Sequence, residues 1–375
     1  MAATQNWLNN LSVRISYGTS GNQNVGYYQA RGVYSSTRYG GLSGFVPSQL
    51  ENPDLCWESR NKFDVGLEFT IFNALTIEFD YYNDLTKDMI FARPLSYATG
   101  FGAIATNIGK MRNQGVEIQL NAMIFNRKNF KWSFGVNLTT NQNRILYLPD
   151  HNDIRNGTIG LMREGYASSQ LYTPEWAGVD PATGRPRWYG ADGQYVFNYN
   201  EAVSRFVGTS DPKFYGGIQT RFDFYNFDIG LQFNYNYGNY IFSNDLTYLE
   251  NEGHQIAHTT TYYVMENRWR RPGDKADIPQ LMNGGNNGAQ NLSTRYRTDG
   301  SYFRIKSIMV GYTLPKKHAE KIFVNSLRVY VSIDNLFTAC SKNFRGYDPE
   351  SGLSAIQTSN YPVPVNYTLG LSVGF

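Results

Sequence analysis

His254 and His258 stand four residues apart with Glu252 beside them, which is metal-ligand spacing if the segment is helical. No third ligand of defined spacing accompanies them, so a solvated loop or a lid helix is the competing reading. Gly100-Phe101-Gly102 resembles part of a dinucleotide turn, but it neither follows a buried strand nor opens an amphipathic helix. Asp180 to Gly184 and Asp192-Gly193 lack the alternating oxygen ligands of a calcium loop and read as turns flanking a short hairpin. Trp176, Trp188, Tyr189 and Tyr195 cluster within twenty residues or so. Such rings could stack on sugars, or simply pack a loop or meet a partner. Cys56 and Cys340 are the two cysteines, too few for a disulfide scaffold. An enzyme needs a paired nucleophile or carboxylate set around a base, and His151, His254, His258 and His318 have none in sequence reach. No cofactor or metal is therefore expected, and no catalytic residue is assigned.

The elements that carry these residues are not those of a soluble enzyme. Lys+Arg 34 against Asp+Glu 31 leaves +3, which argues against a nucleic-acid binder. Aromatics reach 15% and charged residues only 17% of 375 residues. No apolar run is long enough for a spanning helix. The first residues show neither a basic n-region nor an apolar h-region.

Period 2 dominates instead. Ile229, Leu231, Phe233, Tyr235 and Tyr237 alternate with Gly230, Gln232, Asn234, Asn236 and Gly238. Ten such segments are predicted, at about 8–17, 60–71, 74–86, 112–124, 130–142, 213–225, 227–242, 301–314, 326–338 and 363–375. Tight or moderate turns at 73–74, 126–129, 225–226 and 315–325 alternate with long connections at 18–59, 87–111, 143–212, 243–300 and 339–362. Sandwich strands are typically about 5–6 residues, shorter than these. Twelve residues at about 3.3 Å each, tilted about 40°, cover roughly the membrane. The spacing therefore predicts an all-β chain, a transmembrane antiparallel β-barrel with short periplasmic turns and long outer loops. Leu231 is expected to face lipid and Gln232 a wet lumen.

Several stretches, in order, resemble one family. They are Arg14 to Asn22, Asn52 to Glu58, Asn113 to Glu117, Ser210 to Lys213, Trp269 to Asp274, Asp299 to Lys306, Gly311 to Pro315, Asp334 to Phe337 and Gly346 to Glu350. The ordered set resembles the end of SusC/RagA-type TonB-dependent outer-membrane transporters, with Cys56 where the family usually has a basic or polar residue. The resemblance implies that residues 1–375 are the C-terminal portion of a 22-strand barrel, about ten strands of it. The plug domain, TonB box and signal peptide would then lie outside this chain, in a longer protein. It further implies import of oligosaccharides, or peptides, across the outer membrane, with a SusD-like lipoprotein as lid over the outer loops. TonB would act through the N-terminal region. Phe375 would be the terminal aromatic read by the barrel-assembly machinery. Within that reading Trp176, Trp188, Tyr189 and Tyr195 are the substrate-binding candidates. The competing function is a structural or adhesive outer-membrane barrel without transport.

Overall fold

The computed structural model describes residues 7–23, 26–350, 355–359 and 361–375. Ten long strands form one sheet: β1 (Leu8–Asn22), β2 (Glu58–Ile71), β3 (Leu75–Lys87), β4 (Lys110–Arg127), β5 (Phe130–Tyr147), β6 (Phe214–Phe224), β7 (Phe227–Tyr237), β8 (Tyr302–Thr313), β9 (Ser326–Cys340) and β10 (Asn366–Gly374). Every strand pairs antiparallel with its sequence neighbours, so the order in space is the order in the chain. The sheet is a ten-strand meander that does not close on itself.

All ten segments with dyad period are strands. The predicted 227–242 segment divides in two, because Gly238 turns the chain with φ +89° and residues Tyr240–Ser243 join a different sheet. β1 and β5 run five residues further outward than the apolar alternation does, and β4 two, since above lipid a strand no longer needs an apolar face.

Register carries the faces across the whole sheet. Asn10, Thr70, Thr76, Asn121, Gly135, Gln219, Gln232, Ser307, Asp334 and Asn366 are cross-strand neighbours in one continuous row, and every member is polar or glycine. An adjacent row runs Leu8, Ile71, Leu75, Ala122, Phe134, Thr220, Leu231, Ile308, Ile333 and Tyr367. Its aliphatic hydroxyl, on Thr220, accepts the indole N–H of Trp132 at 2.9 Å. Since a one-residue slip would exchange the two faces, ten consecutive matches specify the register strongly.

Strict alternation places Asn335 among the apolar positions of β9. The structure corrects this with a bulge: Asn335 and Leu336 oppose only Lys306, and Asn335 takes φ 58°. Its amide donates to the Pro364 carbonyl at 3.2 Å, tying β9 to the segment entering β10.

The short connections hold as turns, with one helical turn at Lys316–Ala319 in the longest of them. The long ones fold. Residues Ile154–Asn156, Gly160–Met162, Gln170–Pro174 and Ser204–Thr209 make a four-stranded sheet, and Trp176–Val179, Pro186–Tyr189 and Tyr195–Val196 a three-stranded one. Tyr240–Ser243 pairs with Arg297–Asp299 and Ile356–Gln357, so the last two long connections share a sheet. Ile159, Leu171, Val207 and Phe242 form a core between two connections, against which Ala355 and Ile356 of the last one pack. Most of the fully buried large side chains lie in this outer cap, including Trp188, Tyr296, Phe242 and Val264. The wall itself is one layer thick and cannot bury both faces in protein.

Candidate substrate passage

The polar face of the wall and the cap above it are the surfaces a solute would meet. Two charge clamps stiffen the polar face. Arg14, Gly66 and Asp80 stand opposite one another on β1, β2 and β3, and Arg328, Gly311 and Asp228 do so on β9, β8 and β7. Each arginine crosses a whole strand, about 10 Å between outer partners, to reach its aspartate. Arg14 Nη2 lies 3.0 Å from Asp80, and Arg328 Nη2 lies 2.6 Å from Asp228. Glycine leaves the middle position open for the pair: a Cβ at Gly311 would sit 2.5 Å from Asp228 Oδ1 and 2.6 Å from Arg328 Nη2, so any side chain there would push the pair aside. Tyr82 lies over Gly115 in a similar way, its hydroxyl donating to Asn141 Oδ1 at 2.9 Å. The face thus presents amides, hydroxyls and paired charges, which suit a hydrated, hydrogen-bonding solute.

At the mouth, Arg304 of β8 is 2% exposed and contacts both Asp348 and Glu350 at 2.5 Å; Asp348 is itself 4% exposed. Its Nε–H donates to Thr338 on β9 at 2.9 Å. Asp348 also accepts the Val363 backbone N–H at 3.0 Å. Two of the sequence stretches singled out above, around Arg304 and around Asp348, therefore meet. Together they pin the last outer connection to the wall. A second buried pair, Arg295 with Glu252 at 2.8 Å, joins the two ends of the preceding connection, and Arg345 reaches Glu250 nearby.

Electrostatics in the cap favour the ionised carboxylates. The Leu148 backbone N–H and then the His151 ring hold the Glu164 carboxyl below its ordinary range. The Thr183 hydroxyl does the same for Asp180, and the Arg163 guanidinium for Asp153. Stability from such depressed groups is present above the ordinary carboxylate pKa and is lost as pH falls through their lower folded values. Burial pushes the Tyr296 phenol up, and burial and the Asp277 carboxylate push Tyr263 up, so both stay neutral donors.

The aromatic candidates separate. Trp188 is 0% exposed, packed edge-on against Trp176 and Tyr199, and a ring with no free face cannot stack a sugar; it is a core residue of the cap. Trp176 is half-buried beneath the Arg295 guanidinium. Tyr189 and Tyr195 lie 5.6 Å apart, and Tyr195 is 51% exposed with Arg187 over its ring. His254 and His258 are not on a helix: they lie between one that ends at Leu249 and one that begins at Tyr262, Glu252 is committed to Arg295, and His258 lies beside Tyr248. Gly100 to Gly102 is part of the hairpin tip between Ile90–Pro94 and Ala103–Asn107. Asp180 and Asp192 cap the turns of the three-stranded cap sheet. Cys56 and Cys340 are free and exposed thiols. Phe375 is exposed beyond β10.

Sequence reasoning missed the clamps and the buried ion pairs. Lone mid-strand glycines at 66 and 311, flanked two strands apart by opposite charges, were the available signal, but it needs the register to be read.

The TonB dependent receptor-like beta-barrel family model matches residues 3–336. Among curated relatives, TonB-dependent receptor P3 of Formosa agariphila is 28% identical over 96% of this chain and 39% of its own length. TonB-dependent receptor SusC of Bacteroides thetaiotaomicron is 24% identical over 99% of this chain and 38% of its own. The solved RagAB peptide transporter superposes with TM-score 0.87 at 28% identity, covering 99% of this chain and 41% of the matched one. The chain spans about 40% of the length of these relatives.

Proposed function

The chain belongs to the TonB-dependent receptor family, whose members are outer-membrane β-barrels and not enzymes, and from that premise we propose that it is part of an importer of oligomeric nutrients, oligosaccharides or peptides. Residues 1–375 supply about ten C-terminal strands of a larger barrel, which further strands complete and a plug fills. TonB, acting through the N-terminal region, supplies the energy. A SusD-like lipoprotein closes over the outer cap, touching the 143–212 and 243–300 connections. Phe375 serves the barrel-assembly machinery. The observation that carries the reading is the unbroken polar row across all ten strands, which lines a wet passage and has no use on a lipid-facing or packed surface. Exposed Tyr195, with half-buried Tyr189 beside it and Trp176 in the same small sheet, is our candidate for substrate contact.

The 143–212 and 243–300 connections need no partner to stay ordered, because they share a core of their own. What they leave uncovered is a set of apolar side chains, with Ile256 72% and Tyr262 76% exposed. These are the places for the lid. In the full-length receptor, Ile256→Asp with Tyr262→Asp is expected to lower co-purification of the lipoprotein by roughly tenfold or more. Growth on the cognate oligomer should slow, with the amount of assembled barrel unchanged. Unchanged recovery and unchanged growth would favour the adhesive or structural barrel.

A further inference from the structure

The outward face of β3, β4 and β5 changes character sharply at its outer end. From Trp132 to Leu138 the outward positions of β5 are apolar, and the first fully polar rung is Gln114 opposite Gln142. The climb from Trp132 to Gln142 is ten residues; at about 3.3 Å each and a tilt of about 40° it rises roughly 25 Å, the height of a lipid-facing band. The next rung is Arg112 directly opposite Arg144, and the one beyond puts Lys87 directly opposite Lys110. All four lie on the face that meets lipid, at the level of the outer headgroups.

Like charges directly opposite one another across strands destabilise a sheet. Here two such rungs are adjacent, and among the described residues none of the four cations has a carboxylate within ion-pair distance. The Arg112 Nε–H is buried without an acceptor, as are those of Arg187, Arg268 and Arg295. Arg144 gives its Nε–H to the Gly165 carbonyl at 2.9 Å and borders, with Gln114 and Gln142, an open cavity of about 610 Å³. The cavity exists because β6 stops pairing with β5 at Thr139 while β5 runs on to Tyr147. Arginine forks match phosphate oxygens, and lysines add point charge.

We propose that Lys87, Lys110, Arg112 and Arg144 form a site on the lipid-facing wall for the phosphate groups of a phosphorylated lipid of the outer leaflet. The anion neutralises both rungs. The acyl chains run down the apolar band below. A lipid is the occupant, and not a soluble anion, because the cations stand on the outward face directly above that band.

The test uses the full-length receptor purified from outer membranes in mild detergent. Phosphorylated lipid retained per receptor is measured by mass spectrometry and phosphate assay. Rebinding is then measured with vesicles of lipopolysaccharide, vesicles of the same lipid after dephosphorylation, and inorganic phosphate. Replacing all four cations by Gln is expected to reduce retention and rebinding at least about tenfold, while Lys316→Gln with Lys317→Gln, at a periplasmic turn, has no effect. Should the fourfold variant assemble poorly, Lys110→Gln with Arg144→Gln alters only exposed side chains and should still weaken rebinding severalfold. Retention equal to the parent in an assembled variant would overturn the site. So would equal rebinding of the dephosphorylated lipid, or competition by inorganic phosphate at the concentration at which the lipid binds.

Discussion

Arg304→Ala is expected to unseat the last outer connection. The guanidinium is buried between Asp348 and Glu350 and also holds Thr338. Removing one member of a buried ionic cluster leaves uncompensated charge and costs about 3–5 kcal/mol. Asp348 would lose its counter-ion while still bound to the Val363 backbone. In the full-length receptor the expected result is rapid external proteolysis within 341–365, with the barrel still assembled. Arg163→Ala breaks an exposed pair with Asp153 and should cost at most about 1 kcal/mol, so cleavage there should not change. Equal protease resistance of Arg304→Ala and parent would show that the connection is held by something else.

Leu231→Arg is the second large effect. Leu231 lies in the apolar row, between Thr220 and Ile308. An arginine at a mid-membrane lipid-facing position costs about 2–4 kcal/mol, and far less in a wet lumen. Gln232, its neighbour, lies in the polar row beside Gln219 and Ser307. Assembled, heat-modifiable receptor should fall strongly for Leu231→Arg and little for Gln232→Arg. Equal losses would refute the assignment of faces.

The wall was legible because a single-layer sheet between lipid and water writes its two solvents into alternate residues. Ile229 to Gly238 shows this without any knowledge of neighbours. Asn335 was not legible, since a bulge shifts the period by one and only the pairing with Lys306 reveals it. The cap was not legible either. Its strands are two to six residues long, too short for a period to show, and its core joins Ile159, Leu171, Val207 and Phe242 from distant stretches. Trp188 illustrates the consequence. In sequence it is one of four aromatic residues in a loop; in the folded cap it is the member with no free face. The ionic clusters were half legible. Arg304 and Asp348 belong to stretches that drew attention as motifs, but their meeting depends on how the last connection folds back over β8 and β9.

The faces of the wall can be measured position by position. In a full-length receptor carrying Cys56→Ser and Cys340→Ser, spin labels are attached at Leu231→Cys, Gln232→Cys, Ser307→Cys and Ile308→Cys, and the protein is placed in bilayers. Collision with molecular oxygen, which concentrates in lipid, is compared with collision with a water-soluble nickel complex. A barrel wall predicts oxygen access at 231 and 308 and nickel access at 232 and 307. Access of one kind at all four positions, or the reverse alternation, would contradict a wall with lipid on one face and a wet passage on the other.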